Sequence, residues 1–310
     1  MLNILTNDNG AGLTKDANIL SEFIDEPCHR SQAHALPKGK YELNIFCEVV
    51  NERWFKAANK NVLIPNPEWY HKKWLGHIKD FDEIWVKTKE SERIFSELHH
   101  NVKFIGFTSE DHYQEGAKEF KGFHACGKSQ AKQTWLILNN AEKLPFHVTV
   151  LAKLQGIHKM MAMGKIKQKQ FRGENINQIN TQDKGLPQDQ FNRLQNECLI
   201  HICPSTYEGF GHYINEARSC GAVVVTTDAA PMNELITEDI GFLVEWDNVK
   251  KRELGADYFI KSRAFMEVLE KVNNTPFEKL VEMGNLARER FLEEREQFRT
   301  KINAAVQAIL

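Results

Sequence analysis

The sequence lacks any apolar run long enough to cross a bilayer. Its start, Met1 to Asp8, lacks a basic segment leading into an apolar core. We therefore expect neither a transmembrane segment nor a signal peptide. The six cysteines (Cys28, Cys47, Cys126, Cys198, Cys203 and Cys220) are scattered, with no C-x-x-C spacing. That excludes a zinc ribbon or a dense disulfide framework and fits a reduced, cytoplasmic setting. The net charge is only -2, which argues against a chain built mainly to coat nucleic acid. Among twelve histidines only His99-His100 form a close pair, H-E-x-x-H is missing, and no matched metal-ligand set is evident. Short repeats and low-complexity tracts are absent too.

What is present is an alternation of strands and helices. The 310 residues leave room for two domains, and 42% hydrophobic with 26% charged residues describes a globular chain. Apolar runs at Leu2–Thr6, Leu43–Val50, Asn61–Ile64, Glu83–Thr88 and Val102–Phe107 are read as strands. Helical patterns at Leu13–Ile24, His71–Lys79 and Lys89–Leu98 lie between some of them. After a polar linker, Thr108–Lys121, the alternation restarts. Strands are expected at Phe123–Gly127, Phe146–Lys153, Ile176–Thr181, Leu199–Pro204, Ala222–Thr227 and Gly241–Glu245. Helices are expected at Ala131–Glu142 and Gly211–Cys220, and the tail from Pro276 reads as helix. Such β-α-β units imply parallel sheets. We expect one α/β domain over 1–115, a second over 116–285 and a C-terminal helix over 286–310.

Three loops follow strand ends, where α/β proteins bind ligands. The first is Gly10-Ala11-Gly12, a turn suited to a phosphate or to mere structure. It is not a dinucleotide fingerprint, because Lys15 stands where a third glycine is needed. The second is Gly127-Lys128-Ser129-Gln130-Ala131-Lys132. Its spacing is not that of a P-loop, but Lys128 and Lys132 lie four apart and either suit a diphosphate or are two solvated lysines. The third is Cys203-Pro204-Ser205-Thr206-Tyr207-Glu208-Gly209-Phe210-Gly211, leading into a helix that carries Glu216. Two acids around a glycine loop would repel a phosphate but accept hydrogen bonds from hydroxyls. The plainer alternative is that Glu208 caps the helix and Glu216 is a solvated helix residue.

Pro204-Ser205-x-x-Glu208-Gly209-Phe210-Gly211, with Glu216-Ala217 and Cys220-Gly221-Ala222-Val223-Val224, resembles the E-x7-E signature of retaining GT-B glycosyltransferases of the family-4 type. Gly127-Lys128 with Lys132 is similar to that family's upstream basic pair, and Glu234 to its following acid. The resemblance implies two Rossmann-like domains facing a cleft, the first (1–115) on the acceptor side and the second (116–285) binding the nucleotide-sugar. It implies transfer of a hexose from a UDP- or GDP-sugar to a hydroxyl acceptor with retention, no protein nucleophile, no cofactor and no metal. Glu208 would hold a hydroxyl of the transferred sugar and Glu216 the ribose. The amides of Phe210 and Gly211, after Gly209, would meet sugar and phosphate. Lys128 and Lys132 would stabilise the departing diphosphate, and Gly10 and Gly12 would close the phosphate site. An epimerase or phosphorylase on the same fold, or a nucleotide-sugar-binding protein without turnover, are the rival readings.

The chain departs from that family in places. It has Lys128 where arginine is common, and His212-Tyr213 where Leu-Pro is common. His212 either meets a ligand or packs at the helix start. For the acceptor side, Glu48 and the stretch Asn66, Glu68, His71 each follow a strand end, and each either lines the acceptor pocket or is ordinary turn chemistry. Lys153–Arg172 holds seven basic residues and no acid, and is either a solvated helix or a groove for an anionic acceptor.

Overall fold

A computed structural model of the chain describes residues 1–127, 129–182 and 185–310. They divide into two compact units. The first comprises Met1–Glu110, Lys251–Ala256 and Leu292–Leu310; the second comprises Asp111–Lys250 and Asp257–Phe291.

The first unit begins with β1 (Leu2–Thr6), α1 (Gly12–Phe23) and β2 (Cys28–Gln32). It continues through β3 (Tyr41–Cys47), β4 (Ala58–Ile64), β5 (Glu83–Val86), α2 (Lys89–Ser96) and β6 (Val102–Phe104). The sheet order is β2-β1-β3-β4-β5-β6, with every pair parallel. The order reverses between β1 and β3, the kind of crevice where ligands settle in such sheets. Asn3, Asn44 and Asn61 share one register row across β1, β3 and β4. Asn3 Nδ2 donates to Asn44 Oδ1 at 2.9 Å, and Asn44 Nδ2 donates to Asn61 Oδ1 at 3.2 Å. These amides satisfy each other inside an otherwise apolar sheet, as burial requires. Lys87, just past β5, forms a buried ion pair with Asp16 of α1 at 2.9 Å.

The second unit runs β7 (Glu119–Gly127), α3 (Thr134–Asn139), β8 (Val148–Lys153), α4 (Leu154–Ala162), β9 (Ile176–Thr181), α5 (Gln188–Glu197) and β10 (Cys198–Cys203). Then come α6 (His212–Ser219), β11 (Val223–Thr227), α7 (Met232–Leu235) and β12 (Gly241–Val244). A two-stranded ribbon, β13 (Trp246–Arg252) and β14 (Gly255–Ile260), precedes α8 (Ser262–Asn273) and α9 (Phe277–Ile309). The large sheet is β12-β11-β10-β7-β8-β9, again parallel throughout, and its order reverses between β7 and β10. Leu199, Ile200, Ile202, Val148, Val150 and Val223 fill its core, as expected for strands covered on both faces.

Several expectations change in detail. The helix read over Ala131–Glu142 is broken at Gln133, which is left-handed at φ 44. The side chain of Gln133 explains the break: its Nε2 donates to Pro204 O at 2.9 Å and its Oε1 accepts from Ile260 N at 3.3 Å. The strand read to Val50 stops at Cys47, because Glu48 turns the chain at φ 64. β7 starts at Glu119, inside the stretch read as linker, since Glu119 pairs with Cys198 of β10. The basic run holds α4, whose Met160 is buried while Met163 is 58% exposed, so the methionines do not form one inner face. β2 and the β13–β14 ribbon have no counterpart in the sequence reading.

α6 ends at Gly221, left-handed at φ 67, whose N–H bonds Arg218 O at 2.9 Å. The first turns of α9 lie directly on this turn: a Cβ built on Gly284 would collide with the carbonyl oxygen of Gly221. Among the described residues no helix is long and apolar enough to cross a membrane.

Candidate functional site

In the second unit, the reversal of strand order places the loops after β7 and β10 side by side. Lys132 comes from the first loop and Glu208 from the second. Their Nζ and Oε1 atoms lie 2.6 Å apart, with side chains 18% and 14% exposed. Thr206 N donates to Ala131 O at 2.7 Å, tying the two loops together through the backbone. Ser205 Oγ also contacts Glu208 Oε1, and it meets the Tyr213 hydroxyl at 2.6 Å. The ring of Tyr213 lies beneath Lys132, with Nζ 3.2 Å from its centroid. Burial, with smaller contributions from Cys203 and then Glu208, pushes the Tyr213 phenol well up, so it stays protonated and can donate. The sequence motif assigns no role to Ser205, and Tyr213 stands in it only as a departure. An aromatic residue replacing proline beside a charged loop is the signal that could have found it.

Gly211 joins the loop to α6 at φ 104, a conformation that a side chain rarely adopts. A Cβ there would also come within 3.0 Å of Leu235. Among the described residues no side-chain hydrogen bond caps α6 at Gly211, so the capping alternative for Glu208 does not hold. Glu216 is buried, at 3% exposure, two turns into α6, and is not a solvated helix residue. Phe210 is buried and its ring meets that of His212 at 5.5 Å, nearly perpendicular. Gly209 lies between Glu208 and Phe210, half-buried.

Beneath these loops, His124 of β7 bridges Ile202 O at 2.7 Å and Thr134 Oγ1 at 2.8 Å. Burial, with a smaller contribution from Lys132, lowers its pKa to about 4. The ring is therefore neutral near pH 7: Nδ1–H donates to the carbonyl and Nε2 accepts from the threonine. It pins the start of α3 to β10. Lys128 lies outside the described residues.

In the first unit, the crevice between β1 and β3 is flanked by the Gly10 loop and Glu48. Gly10 N donates to Thr14 Oγ1 at 2.9 Å and to Asp8 Oδ1 at 3.1 Å, and Ala11 N donates to Asn9 Oδ1 at 2.9 Å. The loop's own side chains thus occupy these amides, and an acid stands beside them; Gly12 opens α1. Glu48 sits at the centre of a three-residue turn in which Val49 N donates to Cys47 O at 2.7 Å, a rare and strained arrangement. Burial raises its carboxyl pKa, opposed by a hydrogen bond from Asn66 Nδ2 at 2.5 Å. Asn66 Oδ1 is buried, and among the described residues it has no hydrogen-bond partner. Glu68 is buried next to Asn66, whereas His71 is exposed, 3.7 Å from Glu253. The structure therefore brings Glu48 and Asn66 together and leaves His71 apart from them, in a separate cavity.

Residues 167–275 match the family described as glycosyl transferases group 1. No curated protein matches the sequence. Among solved structures, Anabaena HepE in complex with UDP and glucose is similar at TM-score 0.74 and 14% identity, covering 99% of both chains. Sucrose-phosphate synthase from Thermosynechococcus elongatus is similar at 0.73 and 11%, covering 99% of this chain and 98% of that one. The pneumococcal O-GlcNAc transferase GtfA in complex with UDP and GlcNAc is similar at 0.61 and 12%, covering 86% of this chain. This chain spans only 56% of that protein, and 58% of the matched chain in the GtfA/B complex. The two parallel six-stranded sheets with their helices form the GT-B fold.

Proposed function

We propose that the chain is a retaining glycosyltransferase that moves a hexose from a UDP- or GDP-sugar to a hydroxyl acceptor. One observation carries this reading: a lysine and a carboxylate meet at the switch point of a parallel sheet, beside a glycine loop that opens a helix. A cation there suits a diphosphate, and the acid suits a sugar hydroxyl. The match of residues 167–275 to a glycosyl transferase family supports the same reading.

In this mechanism Glu208 orients the transferred sugar and Glu216 holds the ribose, while the amides of Phe210 and Gly211 approach sugar and phosphate. The nucleoside diphosphate leaves with the electron pair of the glycosidic bond. Lys132, with Lys128 as its sequence partner, stabilises that charge. The acceptor oxygen attacks from the face the diphosphate leaves, and its proton passes to the departing phosphate. No protein nucleophile, metal or cofactor takes part. In the first unit, the raised pKa of Glu48 and the unpartnered oxygen of Asn66 suit an acceptor hydroxyl.

The test is nucleotide release from UDP- and GDP-sugars, with and without a panel of hydroxyl acceptors. Release that depends on acceptor supports transfer. Interconversion of the donor without acceptor points to an epimerase, and binding without release under any condition points to a binding protein.

A further inference from the structure

The ribbon strand β13 carries Lys250-Lys251-Arg252, and within the first unit its end is tied to the segment after β4. Leu254 N donates to Pro67 O at 3.1 Å. Gly255 lies against Glu68: a Cβ on it would stand 3.4 Å from the backbone N of Glu68, at ordinary contact distance. The Arg252 guanidinium lies 5.4 Å from the ring centre of Trp69, whose side chain is 45% exposed. These contacts hold Lys251 and Glu253 over the turn that begins at His71.

Between them is a cavity of about 570 Å³ lined by His71, Lys72, Lys73, Lys251 and Glu253. Three ammonium groups therefore share one concavity with a single carboxylate, and that carboxylate leans on His71 at 3.7 Å. Among the described residues, no carboxylate forms an ion pair with Lys72, Lys73 or Lys251. Uncompensated like charges gathered in a concavity focus a positive potential and attract a compact polyanion. Lysines act as point charges suited to phosphate oxygens rather than as planar forks.

A second cavity, about 340 Å³, shares Lys73 with the first. It runs past Trp74 and His34 to Asn7 and Val49, the residues that follow β1 and β3. Lys73 thus borders both cavities, and the second reaches the crevice where the strand order reverses, at Asn7 and Val49.

We propose that Lys72, Lys73 and Lys251 form a phosphate or pyrophosphate site that anchors a phosphorylated acceptor. The rest of that acceptor lies along the second cavity, with a hydroxyl toward Glu48. The acceptor role rests on the transferase reading; the anion site itself does not. All three lysines belong to the first unit, and neither the glycine loop nor the basic run around α4 supplies any of them.

Inorganic pyrophosphate is the probe, titrated calorimetrically at low salt into the full chain. The Lys132→Ala variant removes a competing cation in the donor loop and should still bind pyrophosphate. Adding Lys72→Ser and Lys251→Ser to it should weaken binding by roughly 100-fold, since each lost charge-assisted contact is worth about tenfold or more. Glu253→Gln in the same background should tighten it, a change of opposite sign that general loss of structure would not produce. Circular dichroism confirms that each variant is folded. The inference is overturned if Lys132→Ala alone abolishes pyrophosphate binding, or if the lysine substitutions leave the affinity of that background unchanged. Because the titration needs no turnover, a failure of nucleotide release would count against the transferase reading and not against this site.

Discussion

Lys132 Nζ and Glu208 Oε1 lie 2.6 Å apart, although 76 residues separate them in the chain. Each neutralises the other in a largely enclosed setting, where truncating one partner strands the other's charge. The bound diphosphate and sugar would take over those interactions. Lys132→Met and Glu208→Gln should therefore each lower transfer about 10²- to 10³-fold, the range found when one charge-stabilising group is removed. The double variant should be little worse than either single one, because the residues act as a unit. Nucleotide-release rates measure this, and strictly additive losses would count against it.

Glu48 adopts φ 64, a conformation that costs a non-glycine residue on the order of 1–2 kcal/mol. Glu48→Gly should relieve that strain and raise the melting temperature, while lowering transfer by weakening the acceptor side. A variant that melts lower, or that transfers at the wild-type rate, would show that Glu48 has no such trade-off.

The asparagine row in the first sheet predicts a stability effect without a change of shape. Asn44→Leu should leave Asn3 Nδ2 without Asn44 Oδ1 and Asn61 Oδ1 without its donor, at a cost of about 1–3 kcal/mol. Urea denaturation reads the change. A neutral result would mean that water or rearranged amides replace the row.

Two buried histidines set an acid limit. Burial lowers the pKa of His124 to about 4 and that of His201 to about 3, and His201 Nε2 meets Gln195 O at 2.9 Å. The unfolded chain takes up protons below about pH 6.5 while the folded rings stay neutral, so stability falls as pH drops through that window. By pH 4 each ring accounts for a loss on the order of 3 kcal/mol. Melting temperatures from pH 7 to pH 4 should show a steep fall that His201→Gln makes shallower. An unchanged slope would remove His201 from the account.

Much of the architecture was legible because a parallel strand covered on both faces reads as an apolar run, as at Leu199–Ile202 or Val223–Val225. Glu208, Lys132 and their loops were legible because glycines and charges cluster at strand ends. Other features required contacts distant in sequence. β2 (Cys28–Gln32) is polar and mostly exposed, so it carries no apolar signal. Gln133 reads as an ordinary helix former, and its break depends on Pro204 and Ile260. Lys87 and Asp16 become a pair only when α1 packs on β1 and β3, within reach of the residue that follows β5. The cationic cavity needed Lys251 brought beside Lys72 by the ribbon, which no local pattern announces.

Gly284 works as a keyed joint. Because its α-carbon stands against the carbonyl of Gly221, sliding α9 by one residue would drive the side chain of Met283 or Asn285 into that carbonyl. The helix therefore has a single permitted register along the turn that closes α6. Changing the number of residues between α8 and α9 would be absorbed only by deforming the Asn274–Pro276 connection, since the helix itself cannot slip to take up the difference. Insertions should consequently be tolerated far better in the exposed stretch Lys38–Lys40, between β2 and β3, than at this junction.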